Sequence, residues 1–210
     1  MPRVIHGFNT SGTYVPTAGM QTCVIECIGG GGGGALQGPV GSYIYAIAAG
    51  GGSGGYSRTI ATAADIGASQ SVIIGVGGYA NTSGQGPGGT TSLGTLCSAN
   101  GGQPASGLSP GVGGSQSGAV GELTVPGAHG HGGFLSNNAY VQVVAGAGAN
   151  SILGTGGAVP NGCVGTYTSG QPATFYGGGG GGATVGTSGG GGNAAGGAGY
   201  SGVVYITEYW

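Results

Sequence analysis

Alternating apolar and polar positions predict β-strands at both ends of the chain. Residues 22–28 are apolar on both faces apart from Glu26, which is typical of a strand inside a β-sandwich. Residues 202–210 alternate over two faces and end at Trp210. Further strands are predicted at 7–16 (an edge strand ended by Pro16), 56–62, 71–76, 90–99 (broken at Gly94), 122–125, 140–144, 151–153 and 163–167. No segment has a helical apolar period, and residues 65–68 are predicted to form a turn, so the predicted fold class is all-β.

Two runs of six glycines, residues 29–34 and 177–182, lie between the terminal strands. Glycine loses more backbone entropy on ordering than any other residue, so an ordered run must be held by its neighbours. The regular conformation open to such a run is the polyproline-II-type helix, which has three residues per turn and no internal hydrogen bonds. Several such helices side by side can satisfy one another's backbone groups. The sequence therefore predicts a β-sandwich framework with packed polyglycine-II helices and long glycine-rich loops.

Composition excludes several classes of protein. The chain has 60 glycines in 210 residues but no Gly-X-Y period, which excludes a collagen triple helix as its main structure. A net charge of −2 is unlike the high charge of disordered chains. With only Arg3 and Arg58 as strong cations, nucleic-acid binding is excluded. No apolar run approaches the ~20 residues that span a bilayer, and the first residues lack the apolar core of a signal peptide, so we expect synthesis in the cytoplasm.

The four cysteines, Cys23, Cys27, Cys97 and Cys163, form no C-x-x-C pair. We expect buried free thiols that pack as small apolar side chains. A disulfide frame or a zinc site is the alternative.

Several sequence blocks occur in an order that identifies a resemblance. They are TYVPTAGM at 13–20, CVIECI at 23–28, GGYSR at 54–58, SQSVIIGVGG at 69–78, GGTTSLG at 88–94, ANGG at 99–102 and GGAGYSGVVYI at 196–206. This order resembles the glycine-rich domain found in many bacteriophage tail-fibre and other virion proteins. The resemblance covers residues 1–100 and 176–210 as a framework, with residues 103–176 as a variable loop region of the same single domain.

The resemblance implies a virion structural protein that is not an enzyme. It would be a tail-fibre tip or adhesin component that docks on other virion proteins and binds a bacterial surface polysaccharide or outer-membrane protein. The alternative is a capsid decoration or head-fibre protein that packs on other virion subunits. Phage fibres are commonly trimeric, so the resemblance also implies a homotrimer, with the strand that ends at Trp210 near an interface.

Aromatic residues among Ser, Gly and Asn have the composition of recognition loops, where a rigid ring stands beside adaptable hydrogen-bonding groups. The candidate receptor-binding residues are Tyr43, Tyr45, Tyr140, Tyr167, Phe175 and Tyr176. The alternative is that these rings pack on the flat surface of polyglycine.

No pattern typical of catalysis is present. Neither glycine run is followed by the Lys and Ser/Thr of a P-loop, and no helix follows it as in a dinucleotide site. A glycan-degrading enzyme would need two of its four carboxylates, Glu26, Asp65, Glu122 and Glu208, within ~10 Å in a cleft. We therefore expect no catalytic residues.

The sequence His129-Gly130-His131 is a candidate metal site. On an extended strand both imidazoles would point to one side, so three copies around an axis would present six nitrogens to one ion. Some phage fibres hold iron through histidine pairs of this kind. This resemblance implies iron or another metal at the trimer axis as the one candidate cofactor. The alternative is an exposed polar loop.

Overall fold

The computed structural model describes residues 3–38, 45–137, 141–162, 166–186 and 192–210. The strands are β1 Arg3–Phe8, β2 Gly12–Tyr14, β3 Thr22–Ile28, β4 Tyr45–Ile47, β5 Tyr56–Thr62, β6 Gln70–Ile73, β7 Ala80–Asn81, β8 Gly84–Gln85, β9 Thr91–Leu93, β10 Cys97–Ala99, β11 Leu123–Val125, β12 Phe134–Asn137, β13 Val141–Val144, β14 Asn161–Gly162, β15 Thr166–Thr168, β16 Thr184–Gly186 and β17 Val203–Tyr209. The helix α1, Ala63–Ile66, is a single turn with a capping box between Thr62 and Asp65. In the part of the chain described, no helix is long and apolar enough to cross a membrane.

Two antiparallel sheets form a sandwich, as the pattern of residues 22–28 predicts. The larger has strand order β1-β17-β3-β5-β11 and the smaller β10-β9-β6-β2. Alternate side chains of β3 face inward, and β3 contacts β9 and β10 of the smaller sheet. The two sheets therefore share one apolar core. That core contains Tyr14, Met20, Cys23, Ile25, Cys27, Ala61, Ile66, Val72, Ile74, Leu93, Cys97, Ala99, Val204 and Ile206.

The first glycine run continues directly from β3 as an extended segment with a three-residue bonding period. The amides of Gly29, Gly32 and Ala35 donate to the carbonyls of Gly55, Gly52 and Ala49 respectively. The intervening amides donate to two other segments, 86–89 and 194–200. Its carbonyls accept from three more segments, 75–78, 100–105 and 177–183. A segment with three residues per turn and six bonded neighbours is a polyglycine-II helix inside a lattice of such helices.

The segments bonded in this way form what we call the glycine bundle. They are residues 29–35, 48–55, 75–78, 86–89, 100–105, 111–114, 127–131, 145–149, 154–158, 170–173, 177–183 and 194–200. The segments 29–35, 48–55 and 177–183 are mutual neighbours at its centre. The bundle has no room for side chains there: a Cβ built on Gly31 would lie 1.9 Å from the Gly178 carbonyl oxygen. Glycine is therefore required by close backbone approach and not by flexibility.

The bundle has a sandwich end and a far end. Gly29, Gly55 and Gly177 are neighbours where β3 and β5 meet the bundle, whereas Ala35, Ala49 and Ala183 are neighbours at the opposite end. The far end is covered by two small antiparallel sheets, β12-β13-β14 and β15-β16-β4, and by the β7–β8 hairpin. A second buried cluster, made of Ala35, Ala48, Ala49, Ala105, Ala183, Val185 and Ala194, lies beneath them.

Several sequence predictions differ from the structure in detail. Residues 90–99 form two strands, β9 and β10, because Gly94 (φ 49°) makes a hairpin turn between them in place of a bulge. Residues 151–153 were predicted as a strand but form an exposed turn. Residues 103–176, predicted as variable loops, supply several bundle segments, including 127–131 and 145–149. Residues 7–16, predicted as one edge strand, contain the end of β1 and all of β2, which a bend at residues 9–10 separates. Residues 3–6 of β1 were not predicted as a strand.

Candidate binding surfaces

The far end of the bundle brings together part of the predicted recognition set. Tyr45 begins β4 and Tyr167 lies in β15, and these strands flank β16 in one three-stranded sheet. The Tyr167 ring packs over Gly192, where a Cβ would lie 2.6 Å from it, and remains 39% exposed. Tyr167 therefore combines packing on glycine with an accessible face. Tyr43 and Tyr140 lie outside the described residues.

Phe175 and Tyr176 lie at the opposite end from Tyr167. Residues 170–173 run back through the bundle, and the Phe175 carbonyl accepts a bond from Gly178 near the sandwich. The following run of six glycines separates this turn from β16 by roughly 19 Å at ~3.1 Å per residue. Tyr167 therefore lies on a different surface from Phe175 and Tyr176, because residues 170–173 between them run through the bundle and do not form a loop.

Three aromatic rings form a cluster at this turn beside the sandwich. The ring centroids of Phe175 and Tyr176 are 4.5 Å apart, and those of Tyr176 and Tyr200 are 5.7 Å apart. Both pairs are edge-to-face, whereas Phe175 and Tyr200 stack at 6.4 Å. Such contacts favour one arrangement of the turn over alternatives. Phe175 nevertheless stays 47% exposed, so one of its faces is open to solvent.

That open face borders a groove on the larger sheet, which we call the outer groove. It has a volume of about 470 Å³ and lies on the side of the larger sheet that faces away from the core. It is lined by Ile5, Glu26, Ile28, Tyr56, Ile152, Leu153, Phe175, Tyr205 and Thr207. The sequence predictions did not include this groove. The residue that could have indicated it is Glu26, the only charged residue of β3.

A hydrogen bond fixes the carboxylate in the outer groove. The Tyr56 hydroxyl donates to Glu26 Oε1 at 2.6 Å. Burial and this bond to Glu26 raise the pKa of Tyr56 above its ordinary value, so the phenol stays protonated and remains a donor. The arrangement holds a negative charge among apolar and aromatic side chains.

A second carboxylate is fully buried in the sandwich. Glu208 Oε1 accepts from the Tyr14 hydroxyl at 2.6 Å and from the Thr17 amide at 3.0 Å, and His6 Nε2 lies 3.2 Å from Oε2. Burial alone raises the pKa of Glu208, but the bonds from Thr17 and Tyr14 and the nearby imidazole of His6 outweigh burial and lower the pKa to about 2. This network joins β1, β17 and the loop after β2, which is a structural role.

The other two carboxylates also have protein partners. Asp65 caps α1 by accepting from Thr62, and Glu122 accepts from the Ile60 amide at 3.3 Å. The bonds from Thr62 lower the pKa of Asp65. In the described chain each of the four carboxylates therefore accepts at least one hydrogen bond from a neighbour.

His129 and His131 are both exposed and lie in the bundle segment 127–131, not in a strand. In a helix of three residues per turn, residues two positions apart differ by about 120° around the helix axis. The side chains of His129 and His131 therefore point in different directions. The buried residue between them is Gly130. Among the described residues no group of three or more His, Cys, Asp or Glu side chains is close enough to hold a metal ion.

Three of the four cysteines follow the prediction of buried free thiols. Cys23, Cys27 and Cys97 are free and buried in the sandwich core, whereas Cys163 lies outside the described residues. Burial raises the pKa of Cys23 to about 11, and the contact with the Cys97 thiol together with burial raises that of Cys27. Thiols of this kind are inert packing groups.

Comparison with known proteins adds no relative. A scan against models of protein families finds no match to this chain, and a search of curated proteins finds no similar sequence.

Proposed function

We propose that the chain is a bacteriophage virion protein, a component of a tail-fibre tip that binds the host cell surface without catalysis. The supporting observation is the glycine bundle, whose interior backbone groups bond to one another and whose far end collects two small sheets and a hairpin. Binding residues are commonly found on loops that a rigid scaffold positions. The far end is the proposed receptor-binding surface, and the ligand is a surface polysaccharide or outer-membrane protein.

The near absence of charge supports a contact made through rings and neutral polar groups. Six charged residues in 210 leave little for electrostatic steering, so affinity would depend on packing and hydrogen bonds. Tyr167 provides an exposed ring at the far end, on a strand beside the serine, threonine and glutamine of residues 168–171. Tyr rings with small polar neighbours are suited to such recognition.

Substitution of Tyr167 tests the proposal. Tyr167→Ala is expected to lower binding of the labelled protein to host cells at least about tenfold, because a hot-spot ring contributes about 2 kcal/mol or more. Binding to a panel of bacterial strains would be measured by flow cytometry, with melting temperatures measured in parallel.

Phe175→Ala is the matched control, since it removes a similarly exposed ring at the sandwich end. It should leave cell binding unchanged. If wild-type protein binds none of the strains, host attachment is wrong and packing on other virion subunits becomes the better account. Equal loss of binding in both variants would argue against a receptor-binding far end.

A homotrimer docked on other virion proteins is part of the proposal. The central bundle segments need no second copy for their backbone groups, and the Trp210 indole packs on Gly19 of its own chain. Assembly would therefore depend on side chains of the outer surface. A metal shared through His129 and His131 stays a prediction that requires three copies.

A further inference from the structure

The outer groove is distinct from the proposed receptor-binding surface, since it lies at the other end of the bundle. Its floor is formed by strands β17, β3 and β5, and its walls by Ile5 on one side and the turn residues Ile152, Leu153 and Phe175 on the other. Two of these turn residues are highly exposed, Ile152 at 60% and Leu153 at 48%. The larger sheet therefore has an apolar surface that nothing within the chain covers in its described part.

The groove contains one charged group, Glu26, which forms no ion pair among the described side chains. Glu26 pairs in register with Arg58 on β5, but among the described side chains the only close pair of opposite charges is His6 with Glu208. Tyr56 occupies Oε1 of Glu26, which leaves the lone pairs of Oε2 for another donor. A carboxylate among apolar side chains attracts a positive charge more strongly than one in open water.

The aromatic lining favours the same kind of ligand. Tyr56 and Tyr205 are neighbours of Glu26, and Phe175 borders the same groove. The face of an aromatic ring attracts an ammonium or guanidinium group within about 6 Å of its centroid. Lysine and arginine also bury their methylene stems against apolar surface while the charged head meets a polar partner. An apolar groove that ends on a carboxylate is complementary to such a side chain.

Other occupants match the groove less well. A polysaccharide needs many hydrogen-bonding groups, whereas the polar side chains here are Glu26, Thr207 and the two tyrosine hydroxyls. An anionic membrane surface would be repelled by the carboxylate and attracted by clustered cations, of which the chain has only Arg3 and Arg58.

We propose that the outer groove binds a lysine or arginine side chain flanked by apolar residues, presented by a segment of a partner protein. The charged head pairs with Glu26 Oε2, and the flanking apolar residues cover Ile5, Ile152 and Leu153. The partner supplies the positive charge, since neither Arg3 nor Arg58 lies within 4.0 Å of the Glu26 carboxylate. This inference does not depend on host binding.

The test uses two acetylated and amidated tripeptides, leucine-lysine-leucine and the neutral analogue with norleucine in place of lysine. With intact protein, NMR titration is expected to show the lysine peptide binding at least about tenfold more tightly, with shifts at Ile28, Tyr56 and Tyr205. Raising the salt concentration should weaken the lysine peptide alone. Glu26→Gln keeps an acceptor for Tyr56 and should make the two peptides bind equally.

Glu122→Gln is the matched control, since it removes the same charge from an exposed carboxylate outside the groove. It should keep the preference for lysine. The proposal is overturned if wild-type protein does not distinguish the peptides, if neither binds at 10 mM, or if the shifts fall outside the groove. If Glu26→Gln does not fold, the salt dependence and the shift positions in wild-type protein decide the question.

Discussion

Replacing Gly31 with valine is expected to abolish folding or to lower the melting temperature by at least ~10 °C. The new Cβ would lie 1.9 Å from the Gly178 carbonyl oxygen, which belongs to a neighbouring segment of the bundle, so the two backbones would have to separate. Gly179→Val meets the Gly51 carbonyl oxygen at 2.2 Å and should behave alike. Because the clashing atoms are backbone and cannot move away by a side-chain rotation, we expect a loss above about 4 kcal/mol. Each 1 kcal/mol lowers the melting temperature of a chain of this size by ~2–4 °C.

The matched controls are Gly12→Val and Gly132→Val. At both positions a Cβ meets nothing within 4 Å, and neither glycine has a left-handed backbone. These variants should melt within a few degrees of wild type. Equal melting of Gly31→Val and Gly132→Val would mean that the glycine runs are loops, and the bundle would have to be abandoned.

Removing the buried carboxylate at Glu208 is the other change with a large expected effect. Glu208→Ala leaves the Tyr14 hydroxyl and the Thr17 amide without their acceptor inside the sandwich. Deleting one partner of a buried charged network costs about 3–5 kcal/mol. Urea denaturation should show this loss, whereas Glu122→Ala, at an exposed carboxylate, should stay within about 0.5 kcal/mol of wild type.

The same carboxylate predicts a dependence of stability on pH. The pKa of Glu208 is about 2 in the folded protein against an ordinary value of 4.5. A lowered folded-state pKa stabilises the fold above pH 4.5, and this stabilisation, about 3 kcal/mol, is lost as the pH falls from 4.5 towards 2. Urea titrations across this window should show that loss in wild type and not in Glu208→Gln. An unchanged pH profile in Glu208→Gln would assign the acid sensitivity to another group.

The sandwich was predictable because its strands show their pattern locally. Strand β3 matches the predicted residues 22–28, and β17 lies within the predicted 202–210. Only the end of strand β1 was predicted, because apolar and polar residues are mixed on both of its faces: Val4, His6 and Phe8 on one, and Arg3, Ile5 and Gly7 on the other. Ile152 and Leu153 gave the opposite error: two large apolar residues suggested a strand, but they form an exposed wall of the outer groove.

The bundle was predictable in kind but not in extent. Runs of glycine indicate polyglycine-II helices, yet which segments bond to which depends on contacts between distant residues, such as Gly50 with His131. Short segments such as 127–131 contain Ala and His, which fit because those side chains point outward. For this reason the predicted orientation of His129 and His131 assumed the two-residue period of a strand, whereas segment 127–131 belongs to the bundle.

Hydrogen exchange at the glycine amides tests most directly whether the runs form one bonded bundle. Every amide from Gly29 to Gly34 donates to a carbonyl of another segment at 2.8–3.0 Å. NMR-detected exchange should therefore show these amides, and those of Gly179 to Gly182, protected as strongly as the amides of β3 and β17. Exchange of the glycine runs at the rate of an unstructured loop, while β3 stays protected, would contradict the bundle.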